Sequence, residues 1–291
     1  MKILIIGASG FLGKKLMKIL GEKNEVYGTY HERKVEGFFH LERANAEDVD
    51  VLVRKINPDV IIDANGMSSM DGCEVDLEGN WKSNVEGTKN IATACEKLGK
   101  KFVFISTDAV FDGTKTDKYK EDSERRAINY YSEAKIAAEK FIESNLRDFL
   151  ILRPSTLYGY NGIKEDTGFA NFVFSNLSEG REIKIATDQF ACPALIDDVA
   201  KAIEELLEKN QKGIFHVVGS ECLSKYDFAT KIAEIFSFEK NKIKPSILRE
   251  IKFEASRPKH LNLSIEKIKS LEISMRNTDE GIREMKKQME K

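Results

Sequence analysis

The chain has 291 residues, with 46 Lys and Arg against 48 Asp and Glu, a net charge of −2. Charged residues make up 32%, above the roughly 25% of an average soluble protein, but the signs balance and no bulk field favours nucleic acid or an anionic membrane. No run reaches the ~18 apolar residues of a membrane span. The opening MKILIIGASG has no cleavage-site pattern, so a cytoplasmic protein is expected.

In chain order, Lys2–Ile6 predicts a strand and Leu12–Leu20 a helix with Leu12, Leu16, Ile19 and Leu20 on one face. Glu25–Tyr30 and Phe38–Leu41 follow as strands, Glu47–Ile56 as a helix and Asp59–Asp63 as a strand. Asn84–Leu98 predicts a long helix, Lys101–Ser106 a strand, Tyr131–Ser144 a helix and Phe149–Arg153 a strand. Strands that are apolar throughout, alternating with helices, imply a parallel sheet covered on both faces, a doubly wound α/β fold.

Beyond Arg153 the alternation becomes irregular. Phe169–Leu177 and Lys225–Phe236 read as helices, and Glu182–Ile185 and Lys242–Ile247 as short strands. Helix Ile196–Glu208 and strand Gly213–Val218 should return to the first sheet. The expectation is a cofactor domain of residues 1–153 plus about 194–218, and a smaller substrate domain of about 154–193 plus 219–291. The Lys- and Glu-rich tail, Ile282–Lys291, reads as a solvated final helix.

Cys73, Cys95, Cys192 and Cys222 are scattered with no CxxC, which predicts reduced thiols. His31, His40, His216 and His260 show no metal-ligand spacing, so no metal is expected.

The first strand runs into Gly7-Ala8-Ser9-Gly10-Phe11-Leu12-Gly13 and then a helix. Gly7 permits the tight turn, Gly10 lets backbone approach a pyrophosphate at the helix N-terminus, and Gly13 allows helix to pack on strand. In such folds an acidic residue about 20 positions on holds the ribose of NAD, whereas basic residues there accept the extra phosphate of NADP. Here the second strand ends in Tyr30-His31-Glu32-Arg33-Lys34. Arg33 and Lys34 favour NADP(H), while Glu32 leaves NAD(H) open.

Tyr131 and Lys135 lie at i and i+4 on one helix face. An ammonium there can depress the phenol's pKa, so that the phenol gives or takes a proton near neutrality. The spacing alone decides nothing, because Tyr30/Lys34 and Tyr160/Lys164 share it. Context separates them: only Tyr131 opens a long helix after a parallel strand, and that strand ends in Ser106-Thr107-Asp108. A hydroxyl at that strand's carboxyl end points into the ligand crevice, where Ser106 or Thr107 can hydrogen-bond a substrate carbonyl. Tyr130 reads as a packing or loop aromatic.

These stretches, with NPDVIIDANG, MDGCE, SNVEGTKNIA, STDAVFDG, YSEAK, LRPSTLYG, DQFACPA and SRPKHLNLS, make the chain resemble the extended short-chain dehydrogenases/reductases. The branch is that of dTDP-4-dehydrorhamnose reductase and its relatives. The resemblance implies a catalytic group of Thr107, Tyr131 and Lys135, with hydride from NADPH reaching C4 of a nucleotide-linked 4-keto sugar while Tyr131 protonates the oxygen. It implies that Gly7, Ser9, Gly10, Phe11, Leu12 and Gly13 line the pyrophosphate, and that Tyr30, Arg33 and Lys34 face the adenosine end. Ala64, Asn65, Gly66 and Ser106 would lie along the nicotinamide ribose, with Asn84 behind them. Ser69, Asp108, Thr156 and Arg257 are the candidate substrate contacts, and Asp188, Gln189 and Phe190 would shape the pocket floor. The substrate-side partner is a nucleotide sugar, and a homodimer is left open.

Two departures stand out. Ser132 follows the catalytic Tyr where the family commonly has Gly, and Thr156 occupies the position of a Trp that stacks on the sugar in rhamnose-forming reductases. Two other outcomes therefore compete with a reductase: a regulatory NADP-binding subunit resembling the β subunit of methionine adenosyltransferase, and a nucleotide-sugar epimerase or dehydratase. The last is disfavoured by Ala109, which leaves no second carboxylate after Asp108.

Overall fold

The structure is a computed structural model and describes residues 1–32, 34–162 and 168–290. The first half alternates as its apolar runs predict. β1 (Lys2–Ile6), α1 (Phe11–Leu20), β2 (Glu25–Tyr30), β3 (Phe39–His40), α2 (Ala46–Ile56) and β4 (Val60–Asp63) come first. Then follow α3 (Met70–Val75), α4 (Leu77–Trp81), a π-helical turn (Lys82–Glu86), α5 (Gly87–Leu98), β5 (Lys101–Ile105), α6 (Tyr130–Asn145) and β6 (Phe149–Arg153). The helix expected from Asn84 thus begins earlier and contains a π turn centred on Asn84 itself.

The remaining elements are β7 (Leu157–Tyr158), α7 (Phe169–Ser178), β8 (Ile183–Ala186), β9 (Phe190–Ala191), β10 (Ala194–Leu195), α8 (Ile196–Glu208) and β11 (Gly213–His216). After them come β12 (Leu223–Ser224), α9 (Lys225–Phe236), β13 (Ile243–Ser246), α10 (Glu266–Lys269) and α11 (Thr278–Met289).

Seven parallel strands form one sheet in the order β11-β6-β5-β4-β1-β2-β3. β1 pairs with β2 on one side (Ile3↔Val26) and β4 on the other (Ile3↔Val60), so the winding reverses at β1. The crevice outside the carboxyl ends of β1 and β4 is where such sheets bind ligands. Side-chain alternation divides the core. Ile3 and Ile5 face the layer of α1 and α8, while Leu4 and Ile6 face α2, α5 and α6. On α1, Leu12, Leu16 and Leu20 are buried at helical spacing, each contributing about 1.5–3 kcal/mol. α8 packs beside α1, and β11 extends the sheet through Ile214↔Ile151.

A separate apolar cluster forms outside the sheet from α7, β8, α9, β13 and α11, with Val173, Ile185, Phe228, Ile232 and Ile282 at its centre. The tail is therefore not a solvated helix. Residues Thr278, Gly281, Ile282 and Met285 of α11 are buried, and Asn277 starts it with a capping box to Glu280. The thiol expectation is also corrected: Cys192 and Cys222 form a disulfide, whereas Cys73 and Cys95 are free and buried. Among the described residues no helix is long and apolar enough to cross a membrane, and no three metal-ligating side chains cluster.

Candidate active site

The glycine turn is built for close approach. Gly7 has φ +82°, and a Cβ there would lie 2.9 Å from the Asn65 backbone. A Cβ on Gly13 would meet the Gly7 carbonyl at 2.1 Å, so α1 can rest on the turn only if position 13 is Gly. Gly10, exposed, would place its Cβ near nothing but the Gly7 carbonyl, at 3.2 Å. It caps α1 without a side chain, and no acidic residue stands in the first turn. The first-turn N–H groups, including those of Phe11 and Leu12, are thus left for an anion, and the cradle fits a dinucleotide pyrophosphate. Ser9 sits half-buried in the turn. Thr29, not singled out by its sequence context, accepts a hydrogen bond from the Gly7 N–H at 3.2 Å and holds the turn against β2.

Tyr30 is half-buried at the end of β2, edge-on to His40, and Lys34 is exposed. Arg33 lies outside the described residues, as does Lys164. Ala64, Asn65 and Gly66 follow β4 directly. The Asn65 side chain accepts from the Gly66 N–H at 2.8 Å, and Gly66 has φ +153°. A Cβ on Gly66 would strike Asn84 Oδ1 at 2.4 Å and come within 3.6 Å of Lys135 Nζ, which brings these three residues together. Asn84 Nδ2 donates to the Met67 carbonyl at 2.9 Å, while its buried Oδ1 has no partner. Beneath, Arg43 is buried on Asp63 at 2.5 Å, a pairing that two distant segments create.

α6 presents the catalytic candidates. Asn129 caps it by accepting from the Ser132 N–H at 2.8 Å, which places Tyr131 in the first turn. The Tyr131 ring is 7% exposed and packs with Cys73 and Ala109, flanked by Met67 and Met70. Burial pushes its phenol well above the ordinary value, against a lowering by the hydroxyl of Thr107. The expected depression by Lys135 is not found: the phenol is held protonated. Lys135 itself is the shifted base. Burial lowers it from 10.5 to about 8, partly opposed by Asp63, and its ammonium donates to the Ile105 carbonyl at 3.1 Å.

Ser106 and Thr107 follow directly on β5. Thr107 Oγ1 accepts from the Ala109 N–H at 3.1 Å and lies 3.2 Å from Asp108 Oδ1. Ser106 is turned away from the crevice toward Glu139, donating to its carboxylate at 2.5 Å. The same buried Glu139 takes two bonds from Arg153, at 2.9 and 2.7 Å, and one from Arg125 at 2.9 Å. Arg153 lies in the LRPSTLYG stretch, but neither it nor Glu139 is singled out as a site residue by its sequence context.

Beside this group lies a cavity of about 80 Å³ walled by Met70, Asp108, Thr156, Gln189, Lys225 and Arg257, among others. Asp108 accepts from Ser155 at 2.6 Å, and burial raises its pKa against that bond. Of the expected floor residues, Gln189 and Phe190 line the cavity; Asp188 instead accepts from the Leu248 N–H and pairs with Lys259. Ser69 is exposed and caps α3 through the Gly72 N–H at 3.0 Å, leaving Met70 on the wall. Lys225, which resembles a surface lysine in sequence, donates to Thr156 Oγ1 at 2.5 Å.

Residues 1–291 match the RmlD substrate binding domain family. The chain belongs to this family. It is an oxidoreductase with the extended short-chain dehydrogenase/reductase fold. A dTDP-4-dehydrorhamnose reductase of Aggregatibacter actinomycetemcomitans is 31% identical over 240 residues, 79% of this chain and 78% of the relative. The methionine adenosyltransferase 2 subunit beta of Rattus norvegicus is 29% identical across 94% of this chain and 84% of its own. Among solved structures, dTDP-4-dehydrorhamnose reductase of Bacillus anthracis in complex with NADP superposes with a TM-score of 0.90 at 27% identity, covering 99% of both chains.

Proposed function

We propose that this oxidoreductase reduces the 4-keto group of a nucleotide-linked 4-keto-6-deoxy sugar, using NADPH. The observation that carries the reading is the buried phenol of Tyr131 beside Thr107 and one turn from Lys135 on α6. Met70, which packs against the Tyr131 ring, and Asp108, which follows Thr107, also wall the neighbouring cavity that holds Thr156. Bound NADPH would supply the hydride to the carbonyl carbon. Gly7, Ser9 and Gly10 with the first turn of α1 would hold its pyrophosphate, Tyr30 and Lys34 its adenosine end, and Ala64, Asn65 and Gly66 its ribose side. The adenosine phosphate is favoured by the exposed Lys34, and NADP is the cofactor of the Bacillus anthracis relative.

Tyr131 donates the proton that completes the alcohol, a step for which a phenol protonated across the neutral range is the right form. Thr107 would steady the carbonyl oxygen, and Lys135, charged below about pH 8, would hold the ribose hydroxyls of the bound cofactor and lower the cost of the developing phenolate. Residues 154–193 and 219–291 would form the substrate half. The test is NADPH consumption with dTDP-4-keto-6-deoxy-L-mannose. Turnover that survives Tyr131→Phe would refute the proton-donor assignment.

A second reading is favoured by the β-subunit relatives, which match as much of the chain as the reductases do. On that reading the protein binds NADP, leaves it unreduced and unoxidised with every 4-keto sugar nucleotide, and co-purifies with a partner enzyme.

A further inference from the structure

We propose that Lys225 and Arg257 form an anion subsite of the substrate pocket, which takes an oxyanion of the substrate: a phosphate of its diphosphate or a carboxylate on its sugar ring. The inference rests on the nucleotide-sugar reading and adds a chemical feature of that substrate. Lys225 opens α9, where its backbone N–H donates to the Gln189 carbonyl at 2.8 Å. Its ammonium therefore leaves the backbone at a fixed point on the cavity wall. It donates to the neutral Thr156 hydroxyl at 2.5 Å and lies 4.6 Å from the centre of the Phe169 ring.

Among the described residues, no carboxylate lies within 4.0 Å of that ammonium. The acid whose charge it feels is Asp108, whose oxygens are already engaged by Ser155 and Thr107 and whose charged form burial disfavours. Arg257 faces the same cavity. One end of its guanidinium holds Asp71 at 2.7 Å, while Nη1 is buried with no partner. Lys225 and Arg257 also repel each other, which is part of why the ammonium gives up its proton at about pH 8.

A methionine would fill the Lys225 volume without the cost of desolvating a charge. Two cations converging on a small cavity with no free carboxylate become favourable once an oxyanion enters between them. An ammonium hydrogen-bonded to Thr156 also suits oxygen-rich ligand groups better than the apolar face of a sugar, consistent with the missing Trp at position 156.

The test is calorimetric titration of wild type, Lys225→Met and Lys225→Arg with dTDP, thymidine, UDP-glucose and UDP-glucuronate, with NADP titrated into each as a control for folding. Lys225→Met is expected to bind an anionic probe about tenfold or more weakly, with Lys225→Arg retaining part of the affinity. If the anion is the diphosphate, dTDP and both sugar nucleotides weaken together while thymidine does not. If it is a ring carboxylate, only UDP-glucuronate weakens. A Lys225→Met protein that binds NADP normally and all four probes as wild type does would overturn the subsite. If that variant has lost NADP binding, Lys225→Gln is read in its place by the same criteria. Wild type that binds NADP but none of the probes would overturn the nucleotide-sugar reading, and the subsite with it.

Discussion

At the scale of single residues, the site depends on two groups whose protonation burial has moved in ways that suit reduction. Tyr131 is held as a phenol, the form the proposed proton donor requires. Lys135 keeps its proton only up to about pH 8, whereas in the unfolded chain it does so to about 10.5. Between those values the unfolded chain binds more protons than the folded one, so the burden of this lysine on stability lifts as pH rises through the window. Below pH 8 the burden is full, on the order of 3 kcal/mol. Lys135→Met is therefore expected to abolish turnover yet raise the melting temperature of the cofactor-free protein at pH 7, with the gain shrinking towards pH 10.5. Thermal unfolding at both pH values checks this; an equal offset at both would contradict the assignment. Turnover of wild type should fall above about pH 8 as Lys135 loses its charge.

At the scale of elements, α6 is held in place by one buried carboxylate. Glu139 lies one turn beyond Lys135 and ties α6 to β5 through Ser106 and to β6 through Arg153. Burial works against its charge, but the bonds from Arg153, Ser106 and Arg125 outweigh this and hold its pKa below the ordinary 4.5. Its stabilisation is thus present above pH 4.5 and is lost as pH falls through the lowered folded value. Glu139→Gln should leave Arg153 buried without its counter-charge and cost about 3–5 kcal/mol, read as a lower denaturant midpoint at neutral pH with a flatter loss of stability in acid. An unchanged midpoint would show that the network does not anchor the helix. This network also marks the limit of what the sequence discloses. The β1–turn–α1 unit and the position of Tyr131 were legible because their signals are local: a strand, three glycines and a helix within 20 residues, and a phenol opening a helix. Glu139 looks like any helix-surface glutamate in AAEK, and Lys225 like a solvated lysine, because their partners lie 14 and 69 residues away. The packing of α11 is hidden in the sequence because Lys and Glu make up half of the tail Ile282–Lys291, while Ile282 and Met285, three residues apart, form the face that packs.

At the scale of the molecule, the substrate cavity leans on a short two-stranded ribbon outside the main sheet. β9 and β12 pair antiparallel, Ala191 with Leu223 and Phe190 with Ser224, and Lys225 follows at once. Phe190 and Ala191 are themselves cavity walls. The Cys192–Cys222 disulfide closes this ribbon at the end where Cys192 enters the main core, spanning a sequence separation of 30. Restricting the unfolded chain over a loop of that length contributes about 3–4 kcal/mol in the chain-entropy account. Its loss should be felt at the cavity before it is felt by the sheet, because β1, β4 and the glycine turn form no part of the ribbon. Reduction, or Cys222→Ser, is therefore expected to lower the melting temperature by several degrees and to raise KM for the proposed sugar-nucleotide substrate, while NADP affinity stays unchanged. Alkylation without prior reduction gives an independent check: at most Cys73 and Cys95 should be labelled after denaturation. Labelling of all four cysteines, with no response of KM to reductant, would show that the ribbon holds its shape without the bond.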